Sequence, residues 1–292
     1  MTHSARRRSI LLAGMAAPLA MVSRTSLAAS VESELAALES TSQGRLGVFA
    51  LDTRRAHQIR HRADERFPLC STFKVALAAG ILHRSATEPG LLERLVRYTA
   101  ADLVTYSPIT EKRLAEGMSV GALCVAAMQY SDNAAANLLM KELGGPAGVT
   151  AFARAQGDTV FRIDRWEPEL NTAVPGDARD TSSPAAMGML LHRFALGTAL
   201  PAAQRGQLIE WLRGNTTGAA RIRAGVPKDW IVGDKTGSGD YGTTNDVGIL
   251  WRPDGSAVVL AVYFTQPRKD AEARSDVVAA AARIVAKGLD PA

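Results

Sequence analysis

Ser71-Thr72-Phe73-Lys74 stands at the head of an apolar run, Val75 to Ala79. A serine hydroxyl is a poor nucleophile until a neighbour takes its proton. Positions i and i+3 of a helix share a face, so this spacing brings the Lys74 amine toward the Ser71 hydroxyl. A lysine accepts that proton only when burial or nearby cations lower its pKa. Backbone N–H groups at a helix start also point outward, where they can stabilise an oxyanion. Taken alone, the same string is equally an N-capping serine followed by a solvated lysine.

Two later strings supply what that serine lacks. Ser131-Asp132-Asn133 lies between two helical runs. Its Ser131 hydroxyl can relay a proton to a leaving nitrogen, and Asn133 can offer its amide to a substrate amide. The plainer alternative has Ser131 capping the helix that follows. Lys235-Thr236-Gly237-Ser238-Gly239 continues the apolar Trp230-Ile231-Val232. It reads as an inner strand whose glycines let a ligand backbone come close. Lys235 and Thr236 suit a ligand carboxylate. An ordinary strand end with a turn at Ser238-Gly239-Asp240 is the alternative.

Between these strings runs Arg165-Trp166-Glu167-Pro168-Glu169-Leu170-Asn171, then a loop to Asp180. A loop of this length with little periodicity is uncommon unless it is functional. Glu167 with Asn171 can hold and activate a water, and Arg165 with Asp180 can close the loop by an ion pair. Glu169 is equally acidic, and the sequence does not choose between the two carboxylates.

A competing serine lies in Gly117-Met118-Ser119-Val120-Gly121, which matches the G-x-S-x-G elbow of α/β-hydrolases. That elbow needs a strand before it, whereas Thr110 to Glu116 has a helical pattern. Ser119 then reads as an N-cap, and His192 downstream has no supporting context. There is no HExxH and no spaced Cys/His set, so neither a metal nor a cofactor is expected. Asn215-Thr216-Thr217 matches a glycosylation acceptor and is read as a chance match.

The formal net charge is +5, and four of those charges are Arg6, Arg7, Arg8 and Arg24. The first 28 residues hold no acid, and the rest of the chain is nearly balanced. A nucleic acid or an acidic membrane surface is therefore not expected as a partner. The basic start, the apolar stretch Ile10 to Val22 and the small residues Ser26 to Ala29 read as an export signal. Arg7-Arg8-Ser9-Ile10-Leu11 resembles a twin-arginine signal; the alternative is a general-secretory signal with a chance arginine run. Export to a periplasm follows, with no lasting membrane association. Two cysteines in an exported chain, Cys70 and Cys124, invite a disulfide. Both lie in apolar helical stretches, and buried free thiols are the preferred reading.

The elements that must position these residues follow from periodicity. Val31 to Ser42 reads as an amphipathic helix, Arg45 to Leu51 as a strand, and His57 to Phe67 as its hairpin partner. Ser71 to about Asn215 is helical, broken by loops. Strands return at Trp230–Lys235, Thr244–Trp251 and Ala257–Phe264, before a final helix from about Asp270 to Lys287. The expected fold is α/β of the α+β kind. One antiparallel sheet is flanked by helices and built from both chain ends, with an all-helical lobe inserted. The expected organisation is a signal over 1–28 and one domain over 29–292. Its α/β lobe spans about 29–67 and 216–292, and its helical lobe about 68–215.

Ser-x-x-Lys, Ser-Asp-Asn and Lys-Thr-Gly in this order are a known signature of class A β-lactamases and penicillin-binding proteins. The chain resembles the class A serine β-lactamases over about residues 30–290, in their extended-spectrum and chromosomal branches. The resemblance rests on the three strings together with Trp166 to Asn171, Gly214 to Gly218 and Lys235 to Asp246. It implies a five-stranded sheet, a monomer, and hydrolysis of penicillins and cephalosporins, which confers resistance. It implies that Ser71 is acylated and that Lys74, or Glu167 through a water, takes its proton. Glu167, aided by Asn171, would activate the deacylating water, and Ser131 would protonate the lactam nitrogen. Asn133 would bind the acyl side-chain amide, while Lys235, Thr236 and Ser238, beside Gly237, would hold the substrate carboxylate. The N–H groups of Ser71 and Ser238 would form the oxyanion hole, with Tyr106 as an aromatic wall at the entrance.

Departures from the family pattern are informative. Thr244 stands where many members carry a carboxylate-assisting arginine, and Arg221 resembles the alternative location. Ala78 and Gly239 stand where family disulfides would need partners for Cys124 and Cys70. A penicillin-binding peptidase would share Ser71, Lys74, Ser131 and Lys235 but would stall after acylation, because nothing would activate water. Glu167 separates the two readings. A covalent antibiotic sensor would need a membrane or signalling segment, which the sequence does not suggest after the export signal.

Overall fold

The computed structural model of the chain describes residues 31–289, so the export-signal expectation lies outside the described residues. Helix α1 (31–42) leads into a hairpin of β1 (Arg45–Asp52) and β2 (His57–His61). The second strand is shorter than its sequence pattern suggests. Arg62 turns to φ 43°, Glu65 N–H donates to the Arg62 carbonyl, and the chain leaves the sheet. The remainder of the expected strand contributes β3 (Phe67–Pro68) to a separate small ladder with β6 (Thr181–Ser182).

The helical lobe follows. It contains α2 (Lys74–Ser85), the short pair β4 (Leu95–Val96) and β5 (Met118–Ser119), α3 (Val120–Gln129), α4 (Asn133–Glu142) and α5 (Gly145–Ala155). After β6 come α6 (Pro184–Ala195), α7 (Ala202–Arg213) and the single turn α8 (Ile222–Gly225). The chain then forms β7 (Ile231–Gly239), β8 (Thr243–Trp251), β9 (Ala257–Thr265) and α9 (Ser275–Leu289).

Five strands make one sheet in the order β2-β1-β9-β8-β7, with antiparallel neighbours throughout. β1 pairs with β9, so the two ends of the chain meet in the middle of the sheet, as expected. The central strands β1 and β9 are largely apolar on both faces because both faces are covered. Side chains alternate along a strand. Leu46, Val48 and Ala50 of β1 pack with Leu260 and Val262 of β9 against Val277, Val278 and Val285 of α9. Phe49 and Leu51 join Val259, Ala261 and Tyr263 on the opposite face, against α2 and α6. α2 is buried from Lys74 to Leu82 and forms the axis of the helical lobe. No helix among the described residues is long and apolar enough to cross a membrane.

Candidate active site

The nucleophile string forms a 3-10 turn, Cys70–Phe73, that feeds directly into α2. Cys70 lies at φ 44°, a left-handed conformation that is costly for a residue with a Cβ. Contacts on both sides hold this turn. Leu69 N–H donates to the Asp180 carbonyl at 2.9 Å, and Thr72 Oγ1 donates to the Leu69 carbonyl at 2.7 Å. Gly237 of β7 passes so close that a Cβ there would lie 2.8 Å from the Leu69 carbonyl oxygen.

Ser71 and Lys74 meet on one oxygen. Ser71 Oγ donates to Glu167 Oε1 at 3.3 Å, and Lys74 Nζ lies 3.0 Å from the same atom. Lys74 Nζ also donates to the Ser131 carbonyl at 2.8 Å and to Asn133 Oδ1 at 2.7 Å. An ammonium has three protons, and three acceptors surround it. Burial pushes the Lys74 pKa down, while the Glu167 charge and hydrogen bond oppose that push.

Glu167, not Glu169, faces the serine. Glu167 is buried at 1% exposure, and Glu169 is exposed. Asn137 grips the Glu167 backbone from both sides: its Oδ1 accepts from the Glu167 N–H at 2.9 Å, and its Nδ2 donates to the Glu167 carbonyl at 2.8 Å. Asn171 Nδ2 donates to Glu167 Oε2, while Asn171 Oδ1 is buried without a protein partner. The loop closes as expected, with Arg165 Nε 2.5 Å from Asp180 Oδ2. Asp180 Oδ1 also accepts from the N–H groups of Asp164 and Arg165.

Ser131 is not the helix cap. Asp132 caps α4 by accepting from Ala135 N–H, and its other oxygen accepts from Ile109 and Thr110. Ser131 sits one residue outside at φ 58°, where its Oγ accepts from Lys235 Nζ at 3.0 Å. Asn133 is pinned by the preceding loop. Its Nδ2 donates to the Thr105 carbonyl and its N–H to the Tyr106 carbonyl. The Tyr106 side chain is 56% exposed.

β7 runs unbroken through Gly239, so the turn read at Ser238–Asp240 begins later. Thr236 Oγ1 lies 2.5 Å from Thr217 Oγ1. Burial drives the Lys235 pKa well down, and the Lys74 charge adds to the effect. Arg221 is brought to the same strand but lies behind it. Its NH1 donates to the Gly237 and Asn245 carbonyls, and its NH2 to Ser238 Oγ at 2.7 Å. The guanidinium is buried and its pKa is lowered by that burial. Ser238 itself is exposed. With its oxygen taken by Arg221, its hydroxyl proton is free to point outward.

The competing serine behaves as a cap: Ser119 Oγ accepts from Ala122 N–H at the start of α3. A cleft of about 670 Å³ elsewhere is lined by Arg45, Pro68, Val174, Asp177 and Gln266, among others. Its carboxylates are held in ion pairs, Glu65 with Arg45 and Asp177 with Arg179.

Comparison with known proteins agrees with this geometry. Residues 30–289 match the model of the beta-lactamase enzyme family. The chain belongs to that family. This β-lactamase is 55% identical over 284 residues to the carbapenem-hydrolyzing beta-lactamase KPC of Klebsiella oxytoca, covering 97% of each chain. It is 53% identical to the beta-lactamase Toho-1 of Escherichia coli, covering 99% of this chain and 100% of that one. The crystal structure of a beta-lactamase from Desulfarculus baarsii DSM 2075 superposes with a TM-score of 0.90 at 58% identity, over 91% of this chain and 99% of that one. The enzyme is a class A serine β-lactamase, a hydrolase.

Both of its cysteines are free and buried, as expected. Burial raises both thiol pKa values, which keeps them protonated and unreactive. Asn215 is buried with its Nδ2 on Asp234, so the apparent glycosylation string is closed to modification.

Proposed function

We propose that this β-lactamase opens the lactam amide of penicillins and cephalosporins through an acyl-enzyme on Ser71. The shared oxygen carries the reading: Ser71 Oγ and Lys74 Nζ both contact Glu167 Oε1. Because all three Lys74 protons have acceptors, the Ser71 proton passes to Glu167 as the serine oxygen attacks the lactam carbonyl. The N–H groups of Ser71 and Ser238 receive the developing oxyanion, a contribution of about 3–4 kcal/mol per donor. The C–N bond breaks as Ser131 gives its proton to the leaving nitrogen while Lys235 holds its oxygen, and the proton taken up by Glu167 returns through Lys74 to Ser131. A water bound between Glu167 and Asn171 then gives a proton to Glu167 and attacks the ester carbonyl; the C–O bond to Ser71 breaks, and the proton on Glu167 passes to Ser71 Oγ, which frees both residues.

Lys235, Thr236 and Ser238 bind the substrate carboxylate, and Arg221 acts through Ser238 Oγ rather than by direct contact. Asn133 has one Nδ2 proton left for the substrate side-chain amide, and the exposed Tyr106 flanks the entrance. Buried Glu167 separates this reading from that of a penicillin-binding peptidase, which would stall after acylation. The relative from Klebsiella oxytoca is named for carbapenem hydrolysis; here the substrate reading stays with penicillins and cephalosporins.

In the same reading the enzyme is exported to the periplasm, by the twin-arginine route if Arg7 and Arg8 act as a signal, and works there as a monomer. Residues 29–292 form the catalytic domain, with lobes at about 29–67 and 216–292 and at about 68–215. Activity in the periplasm confers β-lactam resistance.

Turnover of benzylpenicillin by the wild type and by Ser71→Ala tests the nucleophile. A loss of about 10³-fold or more supports it, and retention of wild-type turnover would move the nucleophile elsewhere.

A further inference from the structure

Asn245 lies near the end of the Lys235–Asp246 segment, outside the residues that carry the chemistry, and it joins the nucleophile string to the strand of Lys235. It lies on β8, opposite Gly237 of β7 and Tyr263 of β9, and is fully buried. Its Nδ2 donates to the Pro68 carbonyl at 2.8 Å and to the Leu69 carbonyl at 3.2 Å. These are the last two carbonyls before Cys70, whose left-handed backbone aims Ser71. Both partners are pure acceptors, which fixes the orientation of the amide. Its Oδ1 is buried without a protein partner. A buried polar atom left in that state calls for an explanation, and an alanine or serine here would avoid it. The backbone carbonyl of Asn245 accepts from Arg221 NH1 at 2.7 Å, and the same NH1 holds the Gly237 carbonyl.

We propose that Asn245 is a positioning residue for acylation, setting the nucleophile turn against the carboxylate-binding end of β7. It touches no substrate. It acts through Pro68 and Leu69 on the Ser71 side and through Arg221 on the Ser238 side. A substrate held by its carboxylate at Ser238 then presents its lactam carbonyl at the height of Ser71 Oγ. Small errors there are costly: a displacement of about 1 Å can lower a rate about 100-fold. The deacylation machinery has separate supports, because Glu167 is held by Asn137 and Asn171.

This inference rests on the acyl-enzyme reading, and its test separates the two. Acylation and deacylation rate constants are measured by stopped flow with benzylpenicillin for the wild type, Asn245→Ala and Asn245→Ser, below the unfolding transition of each. Asn245→Ala is expected to acylate about 10- to 100-fold more slowly, with deacylation within about threefold of wild type. Asn245→Ser restores one donor and should recover part of the loss. The Leu69 carbonyl keeps Thr72 Oγ1 as a donor, so the turn survives the change. If Asn245→Ala does not fold, the serine variant alone must show the same split. Unchanged acylation, or equal losses in both steps without recovery by serine, would overturn the proposal. Failure of the wild type to acylate at all would instead overturn the reading beneath it.

Discussion

Lys74 Nζ lies 3.0 Å from Glu167 Oε1, and both side chains are completely buried. Removing one partner of a buried ion pair leaves the other charge uncompensated. Burial already lowers the Lys74 pKa, and Glu167 holds it up. Without Glu167 the lysine therefore shifts toward its neutral form, in which it can itself accept the Ser71 proton. The pair thus predicts that loss of the glutamate slows deacylation more than acylation.

The second buried lysine gives a prediction about pH. Lys235 has a pKa well below the ordinary 10.5, so the native state binds fewer protons there than the unfolded chain. Stability gained from this site therefore rises with pH between the lowered native value and 10.5. Below the native value the cost of the buried charge is fully present. Urea unfolding of the wild type and Lys235→Met between about pH 7 and about pH 10 checks this. The wild type should gain stability relative to the variant as pH rises. A constant difference would show that Lys235 keeps its proton across that range.

Arg221 gives a prediction about binding. Arg221→Ala removes the donor to Ser238 Oγ and frees that hydroxyl to turn inward. KM for benzylpenicillin should rise about tenfold or more, with a smaller fall in kcat. Arg223 is committed to Asp234, and Arg274 to Asp276. Arg274→Ala should therefore leave KM within about twofold, since exposed ion pairs contribute little. Steady-state kinetics of both variants decide which arginine serves the carboxylate.

Much of this site is legible in the sequence because its parts are local. The three-residue step from Ser71 to Lys74 and the strand carrying Lys235 follow from periodicity alone. Asn137 could have been found the same way, since it lies four residues after Asn133 on one helix face. What could not be read depends on tertiary contacts. Glu167 and Glu169 differ only in which one the loop turns inward. The strand from His57 ends early because Arg62 adopts a left-handed turn, although the residues beyond it suit a strand. Asp132 replaces Ser131 as the cap because its second oxygen finds Ile109 and Thr110 in a distant loop. The roles of Asn245 and Arg221 depend on the register of β7 against β8, which joins residues far apart in the chain.

Gly239 gives a covalent prediction. A Cβ added there would lie 2.7 Å from Cys70 Sγ, close to disulfide geometry, and would press on the Asn171 carbonyl oxygen. Oxidised Gly239→Cys should therefore form a bond with Cys70 and displace Asn171. After unfolding without reductant, one thiol should titrate, that of Cys124. Deacylation should slow about tenfold in the oxidised form, because Asn171 helps to hold the water. Three titratable thiols would contradict the placement of Cys70 beside β7.

The central claim is that Glu167 separates acylation of Ser71 from its release. The most direct measurement mixes excess benzylpenicillin with the wild type and with Glu167→Ala and follows intact mass and product together. The wild type should open many equivalents and return to its free mass. The variant should take up one penicillin on Ser71 and hold it, with deacylation slowed about 10²- to 10⁴-fold. Wild-type turnover by the variant, or a persistent adduct on the wild type, would contradict the assignment of Glu167.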